Sequence, residues 1–283
     1  MYLVATPIGN LEDVTLRALR VLSEVSAIAC EDTRQTRKLL DRHGIARPLV
    51  SYHEHNERER SRELVERMES GESIALVSDA GMPLVSDPGH TLVHSCIERG
   101  IPVTPIPGPS AFVAALAASG LPAGEFLFVG FLPARTGERA RKLRELAPER
   151  RTLIFYEAPH RLATTLRDAL AILGDRRAVV ARELTKIHEE FRRAKLSELA
   201  EFYRRSEPRG EITLLVGAPE TAASAPESGR QAGSLGERVA ELERQGYDRK
   251  SALKQAAREF GIPKREAYRL LLAEQARKRD SAV

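Results

Sequence analysis

Three short apolar runs each end in a loop of small and cyclic residues, and that repeated junction limits the folds open to this chain. Residues 2–5 run into Thr6-Pro7-Ile8-Gly9-Asn10. Ile74-Ala75-Leu76-Val77 runs into Ser78-Asp79-Ala80-Gly81-Met82-Pro83 and on to Ser86-Asp87-Pro88-Gly89, and residues 101–106 run into Pro107-Gly108-Pro109-Ser110-Ala111. Apolar residues recur at helical spacing over 11–19, which predicts a helix after the first loop. Glycine lets backbone approach a ligand closely, and open α/β sheets bind ligands outside the carboxyl ends of their strands. Each loop alone is an ordinary strand-to-helix turn; three aimed at one crevice predict a ligand site. No Gly-x-Gly-x-x-Gly and no Gly-x-x-x-x-Gly-Lys-Ser/Thr occurs, so the dinucleotide and nucleoside-triphosphate readings lose their main support.

The rest of the chain alternates in the same way. Strand-like runs at 27–30, 49–52, 73–77 and 103–106 are separated by amphipathic stretches at 36–43, 59–69 and 92–99, which predicts a mainly parallel sheet, covered on both faces, over residues 1–114. A small-residue helix at 110–119, ended by Gly120, carries the chain into a second α/β unit, 115–218. Its predicted strands lie at 126–131, 152–156, 178–181 and 212–216, and its helices at 139–146, 162–173 and 196–205; the charged stretch 135–151 reads as helix plus exposed connection. Residues 219–233 are rich in Ala, Ser, Pro, Glu and Gly without apolar periodicity and read as a linker. Residues 234–283 predict a small helical module. Ser234-Leu235-Gly236-Glu237 is a capping-box pattern for a helix that Gly246 closes, and Asp248 caps the next, with Leu253, Ala256, Ala257 and Phe260 on one face. Gly261-Ile262-Pro263 then turns the chain into a basic helix, a spacing that suits a helix-turn-helix and equally a three-helix packing or dimerisation tail.

With 283 residues, 42% apolar and 30% charged, the chain has material for about two domains and a sizeable core. No run of about 18 apolar residues occurs, so no membrane span is predicted. Residues 1–8 are too short for a signal-peptide core and lack a basic start. Cys30 and Cys96 form neither a disulfide framework nor a zinc spacing, which fits a reducing cytoplasm. The net charge of +4 is unevenly spread: seven Lys/Arg against three Glu over 134–151, and thirteen against eight acids over 230–280. Solvated helix faces carry such density, and a polyanion selects it, which makes RNA a candidate partner. No metal site is predicted, since His53-Glu54-His55 lacks the His-Glu-x-x-His spacing and His188-Glu189-Glu190 has no second histidine nearby.

Seven motifs, in order, resemble one family: Val4-Ala5-Thr6-Pro7-Ile8-Gly9-Asn10-Leu11, Glu31-Asp32-Thr33-Arg34, the 78–89 loop, Pro107-Gly108-Pro109-Ser110-Ala111, Gly130-Phe131-Leu132-Pro133, Tyr156-Glu157-Ala158-Pro159-His160-Arg161 and Ala181-Arg182-Glu183-Leu184-Thr185-Lys186. Together they resemble the ribosomal RNA small subunit methyltransferases I of the tetrapyrrole-methylase-like superfamily, over about residues 1–218, and the C-terminal module is similar to the one appended there. The resemblance implies two α/β domains with S-adenosylmethionine in the cleft between them, a homodimer, and methyl transfer to the ribose 2′-hydroxyl of a cytidine in the decoding region of 16S ribosomal RNA or the small subunit. A tetrapyrrole C-methyltransferase shares the fold, but the Glu31 to Arg34 and Tyr156 to Arg161 motifs and the basic module argue against it. A non-catalytic ribosome-assembly protein that keeps the pocket is the reading from another class.

For that ligand the loops make chemical sense, because a phosphate-free sulfonium needs backbone amides and shape rather than a phosphate cradle. Asp79 can accept hydrogen bonds from ribose hydroxyls or the methionyl ammonium, or cap the turn before Gly81. Ser110 can cap its helix and touch the cofactor. Pro7, Ile8, Gly81, Ala111 and Leu184 are the implied walls. The acceptor hydroxyl needs a base; Lys186, Glu157 and Glu31 are the leading candidates beside Asp32, His53 and Glu189, and a lysine serves if its pKa is lowered. Arg34, Arg161 and Arg182 offer planar forks to RNA phosphates. Tyr156 and Tyr52 are either stacking partners for a splayed cytosine or core.

Overall fold

The computed structural model describes residues 1–206, 208–219, 235–259 and 266–271. Five parallel strands make its first sheet: β1 (Tyr2–Val4), β2 (Ala27–Cys30), β3 (Leu49–Ser51), β4 (Ile74–Val77) and β5 (Thr104–Ile106), in the order β3-β2-β4-β1-β5. Every residue of β2 and β4 is buried, as strands covered on both faces must be. Their side chains alternate between two cores. Ile28, Cys30, Ala75 and Val77 join Ala18, Val21 and Leu22 of α1 (Leu16–Glu24) and Leu40 of α2 (Thr33–Arg42). Ala29, Ile74 and Leu76 join Leu64, Val65 and Met68 of α3 (Glu57–Glu69) and Leu92 and Cys96 of α4 (His90–Glu98). Tyr52 sits in the second core with its hydroxyl on Glu57 and Ser61, so it is a core residue and not a stacking platform.

The second sheet contains β6 (Phe126–Phe131), β7 (Thr152–Glu157), β8 (Arg177–Arg182), β9 (Glu190–Lys195) and β10 (Ile212–Val216), in the order β6-β7-β10-β8-β9, with β6 and β7 parallel and the other pairs antiparallel. One face packs on α6 (Thr136–Leu146), α7 (Pro159–Leu173) and α8 (Leu196–Arg205). The other packs on Ala115 and Leu116 of α5 (Ala111–Ser119) and on Ile8 from the first sheet's loop. The expected domain break at residue 114 therefore falls within a helix that packs on the second sheet.

The structure differs from the sequence expectation in three places. The helix expected over 11–19 is split: a 3-10 turn covers Leu11–Asp13, and α1 starts after Thr15, whose hydroxyl accepts from Ala18 N–H at 3.1 Å. Apolar spacing runs across the break, but a threonine cap is a stronger local signal. The edge strand β9 is absent from the sequence expectation, because Glu190, Arg192, Arg193 and Lys195 hide its alternation; charge on an edge strand is the usual guard against pairing with other chains. Within the basic 134–151 stretch, Arg139 is buried and donates from Nε and Nη2 to one oxygen, Oδ2, of Asp168 at 2.9 and 2.6 Å, so part of that charge is scaffold.

The C-terminal module is a separate compact unit. Leu235, Val239 and Leu242 of α9 (Leu235–Arg244) share a core with Ala252, Leu253, Ala256 and Ala257 of α10 (Arg249–Glu259) and with Ala267 and Leu271, in the helical residues 266–271. Asp248 caps α10 by accepting from Lys250 and Ser251 N–H. Ser234 of the expected capping box, the linker beyond Pro219, Phe260 and the Gly261-Ile262-Pro263 turn lie outside the described residues. Among the described residues no helix is long and apolar enough to cross a membrane.

Candidate active site

Strands β1 and β4 are neighbours whose onward connections leave in opposite directions, to β2 and to β5, and that reversal is where open α/β sheets place ligands. The loops there are stitched together. Thr6 and Gly81 exchange backbone hydrogen bonds at 2.9 and 3.0 Å, and the Thr6 hydroxyl donates to Ser78 O at 3.0 Å. Gly81, at φ +86°, is where three loops meet: a Cβ on it would lie 3.4 Å from Ile8 and 3.6 Å from Pro109 O. A Cβ on Gly108 would come within 2.8 Å of the Ala5 Cβ, so the third loop closes on the first only because residue 108 has no side chain.

A cleft of about 360 Å³ opens beside this junction. Ile8, Asp79, Gly81, Asp87, Ser110 and Ala111 line it from the first-sheet loops, and Tyr156, Glu157, Leu184, Gly210 and Thr213 from the second sheet. Among the described residues four non-glycines have positive φ: Leu84 (72°) and Ser86 (69°) bracket Val85, and Glu183 (53°) and Thr185 (67°) bracket Leu184. Val85 and Leu184 both line the cleft. Such backbone is costly for L-residues and concentrates at ligand-binding sites. Ser110 contributes no side-chain bond to the start of α5, so the first-turn amides there are open to a ligand.

The charges around the cleft fall into two groups. Burial first, then Glu31 and Asp79, push the Asp87 carboxyl up to about 6, although Ser78 hydrogen-bonds to it. Burial and Asp79 likewise raise Glu31. On the other side the carboxylates are committed. Glu157 is buried, accepts from Thr165 Oγ1 at 2.5 Å and from Ala158 N–H at 2.9 Å, and pairs with Arg161 at 3.3 Å. Lys186 Nζ donates to Glu183 at 2.8 Å and to Glu211 at 3.2 Å. Burial pulls the lysine's pKa down, but the two carboxylates outweigh it and hold the ammonium above its ordinary range.

These placements sort the sequence candidates. Ile8, Asp79, Gly81, Ser110, Ala111 and Leu184 line one cleft, whereas Pro7 is buried outside the lining. Glu157 lines the cleft, but its carboxylate serves as an anchor for β7 and α7. Glu31 lies beyond the lining and acts on Asp87 through its charge. Lys186 lies in a second groove with Gly9, Asn10, Leu16, Arg42 and His188, and a raised pKa is the reverse of what a lysine base requires. Arg34 is exposed and held bidentate by Asp32. Arg161 donates to Leu132 O at 2.6 Å, and Arg182 to Glu190 at 2.9 Å, so both guanidinium groups are turned to the protein. Sequence reasoning passes over Asp87 and Phe131 although both lie inside quoted motifs: Asp87-Pro88-Gly89 reads as a turn, and Phe131 as the end of a strand. Among the described residues no group of three or more His, Cys, Asp or Glu is placed to hold a metal ion.

Residues 1–200, which include the first sheet's loops and most of this cleft, match the family of Tetrapyrrole (Corrin/Porphyrin) Methylases. "Ribosomal RNA small subunit methyltransferase I" of Halalkalibacterium halodurans is 50% identical over 270 residues, covering 95% of this chain and 93% of that one. The chain belongs to the ribosomal RNA small subunit methyltransferase I family. A Mesorhizobium japonicum member of that family is 53% identical over 80% of this chain and 78% of its own length. Among solved structures, uroporphyrin-III C-methyl transferase from Thermus thermophilus, complexed with S-adenyl homocysteine, superposes with a TM-score of 0.54 at 25% identity, over 76% of this chain and 96% of that one.

Proposed function

We propose that this protein transfers a methyl group from S-adenosylmethionine to the ribose 2′-hydroxyl of a cytidine in the decoding region of 16S ribosomal RNA, and acts as a cytoplasmic homodimer. The observation that carries the reading is the three-loop junction at Gly81 in a chain of this family. Its wall of glycine, Ile8 and Ala111, the open amides of α5 and the acceptor Asp79 suit an adenosine with a zwitterionic tail, and nothing in the donor set suits a triphosphate. When bound, the cofactor supplies an electrophilic methyl on a sulfonium whose leaving group is a neutral thioether. The protein's part is to hold the acceptor oxygen in line with that carbon, to exclude water and to take the hydroxyl proton. Arg34, whose guanidinium is exposed although Asp32 holds its Nε and Nη2 edge, is offered to RNA phosphate, and so are the exposed Arg249, Lys250 and Lys254 of α10 in the C-terminal module. Labelled methyl transfer to small subunits, but not to uroporphyrinogen, is the expected result. A 2′-deoxycytidine placed at the target in a reconstituted subunit should block it, and continued methylation of that nucleotide would move the acceptor to the base.

A further inference from the structure

The end of β6 breaks the strand's alternation. Phe128 pairs with Ile154 and Gly130 with Phe155, so Val129 is the extra residue of a bulge, and Gly130 sits at φ +75°. The bulge puts Phe131 opposite Tyr156, on the face that carries Phe128; unbroken alternation would send it to the other face. Phe131 thereby ends a row of rings: Phe112 stacks on Phe128 at 4.6 Å, Phe128 meets Tyr156 at 5.1 Å, and Tyr156 meets Phe131 at 5.7 Å. Phe131 lines the cleft and is 56% exposed, which leaves a ring free to pair with a planar group.

The same bulge brings Phe131 towards an acid. A Cβ on Gly130 would come 3.2 Å from Ser86 Oγ, so β6 closes on the Ser86-Asp87 turn at a residue without a side chain. Asp87 lines the same cleft as Phe131 and Tyr156. The charged and titratable groups that face it are Glu31, Asp79 and Tyr156. Ser78 hydrogen-bonds to it, but among the described residues no guanidinium pairs with it as Arg161 pairs with Glu157.

We propose that Phe131, Tyr156 and Asp87 form the acceptor subsite: Phe131 stacks an unpaired nucleobase swung out of the RNA, and Asp87 accepts the proton of that nucleotide's ribose hydroxyl. This rests on the ribose-methylation reading above. In the transfer the hydroxyl O–H bond breaks and its proton passes to the Asp87 carboxylate. The oxygen bonds to the methyl carbon, and the C–S bond breaks with its electron pair left on sulfur, so carboxylate and sulfonium both become neutral. Only the ionised carboxylate can take the proton, so the rate rises with pH through the acid's own pKa, which its surroundings hold at about 6.

The test uses full-length Asp87→Asn, Phe131→Ala and Phe131→Trp with small subunits as acceptor, and calorimetric titration of each with S-adenosylhomocysteine. All three are expected to bind S-adenosylhomocysteine like the wild type. Asp87→Asn should lower the single-turnover rate by ~100- to 10,000-fold and remove the acidic limb of the pH profile. Phe131→Ala should raise the acceptor KM by ~5- to 150-fold with kcat retained, the range that stacking on one base gives, and Phe131→Trp should restore it. A retained rate or acidic limb in Asp87→Asn overturns the proton-acceptor role, and so does a clear loss of S-adenosylhomocysteine affinity, which would make Asp87 a cofactor ligand. A wild-type KM in Phe131→Ala overturns the platform. Failure of the underlying reading shows separately, as methylation of a 2′-deoxy acceptor by the unmodified protein.

Discussion

The two rims of the cleft obey different rules. On the second-sheet rim each carboxylate has a cation or buried donors: Glu157 has Arg161 and Thr165, Glu183 and Glu211 share Lys186, and Glu190 holds Arg182. On the first-sheet rim the charge of Asp79 raises the pKa of both Glu31 and Asp87, Glu31 raises Asp87 further, and Asp79 accepts from the Asp32 amide at 3.0 Å rather than from a cation. Paired charges make scaffold, because their protonation is fixed and their geometry is locked. Mutually repelling carboxylates make chemistry, because a proton or a cationic ligand relieves them. Read from the sequence, Lys186 and Glu157 stand with Glu31 as the leading candidates for the base; Glu157 lines the cleft with its carboxylate paired, and Lys186 lies in the second groove between two carboxylates.

Four substitutions sharpen or break this contrast. The largest effect is expected from Gly81→Val, which forces a β-branched residue to φ +86° and pushes side-chain atoms towards Ile8 and Pro109. Calorimetry should detect no S-adenosylhomocysteine binding, while circular dichroism shows the sheets intact. Next is Glu157→Ala, which strands the Thr165 hydroxyl and the Arg161 guanidinium. It should cost about 2–4 kcal/mol in denaturant unfolding and leave the single-turnover rate within a few-fold of wild type; a collapse in rate with an unchanged midpoint would reverse the assignment of the two rims. Asp79→Ala should weaken S-adenosylhomocysteine by ~10- to 100-fold, the scale of a charge-assisted hydrogen bond, with wild-type Tm. Lys186→Met keeps the stem against Gly9 and loses two partly exposed ion pairs, so it should cost at most about 1 kcal/mol and leave the pH profile unmoved.

The rims also differ in how stability depends on pH. Asp87's pKa is raised on folding, so its protonated form is the one the fold favours. That contribution is fully present below the ordinary aspartate range near 4 and is lost as pH rises through about 6. Asp87→Asn cannot ionise. Its Tm should therefore match wild type at pH 4 and exceed it by a few degrees at pH 8, where the half-buried charge burdens the wild type. Equal Tm values at both pH values would show that the repulsion among Glu31, Asp79 and Asp87 is screened. A gain in stability paired with a loss of rate is what a functional acid held at a cost looks like.

Much of the architecture is legible in the chain because burial dictates residue type there. Runs such as Ala27-Ile28-Ala29-Cys30 and Ile212-Thr213-Leu214-Leu215-Val216 permit little but a covered strand, and Gly120 marks the end of α5 by its left-handed turn. The loops that line the cleft are equally visible, since Gly81 and Gly108 are required by contacts that no side chain fits. What local sequence hides is pairing across distance. β9 is recognisable only from β8 beside it. The mixed order of the second sheet depends on β10 returning between β7 and β8. Arg161 and Arg182 look like RNA ligands until Leu132 O and Glu190 are seen to hold them.

The Thr6–Gly81 bridge makes the cleft a late product of folding. Thr6 leaves β1 and Gly81 leaves β4, and Pro109, which closes the junction, leaves β5, so the first-sheet wall of the cleft does not exist in a chain that has not brought β4, β1 and β5 together. Contacts of such sequence separation form slowly, because loop-closure entropy must be met before they return anything. A nascent or partly unfolded chain therefore has no weak version of the site. Ligand binding selects only molecules in which β4, β1 and β5 are paired, and the stabilisation it brings, which grows with ligand concentration relative to Kd, acts on those three strands as a unit. Amides of β1, β4 and β5 should thus gain hydrogen-exchange protection together when S-adenosylhomocysteine is added, although the cleft is lined by the loops that follow these strands.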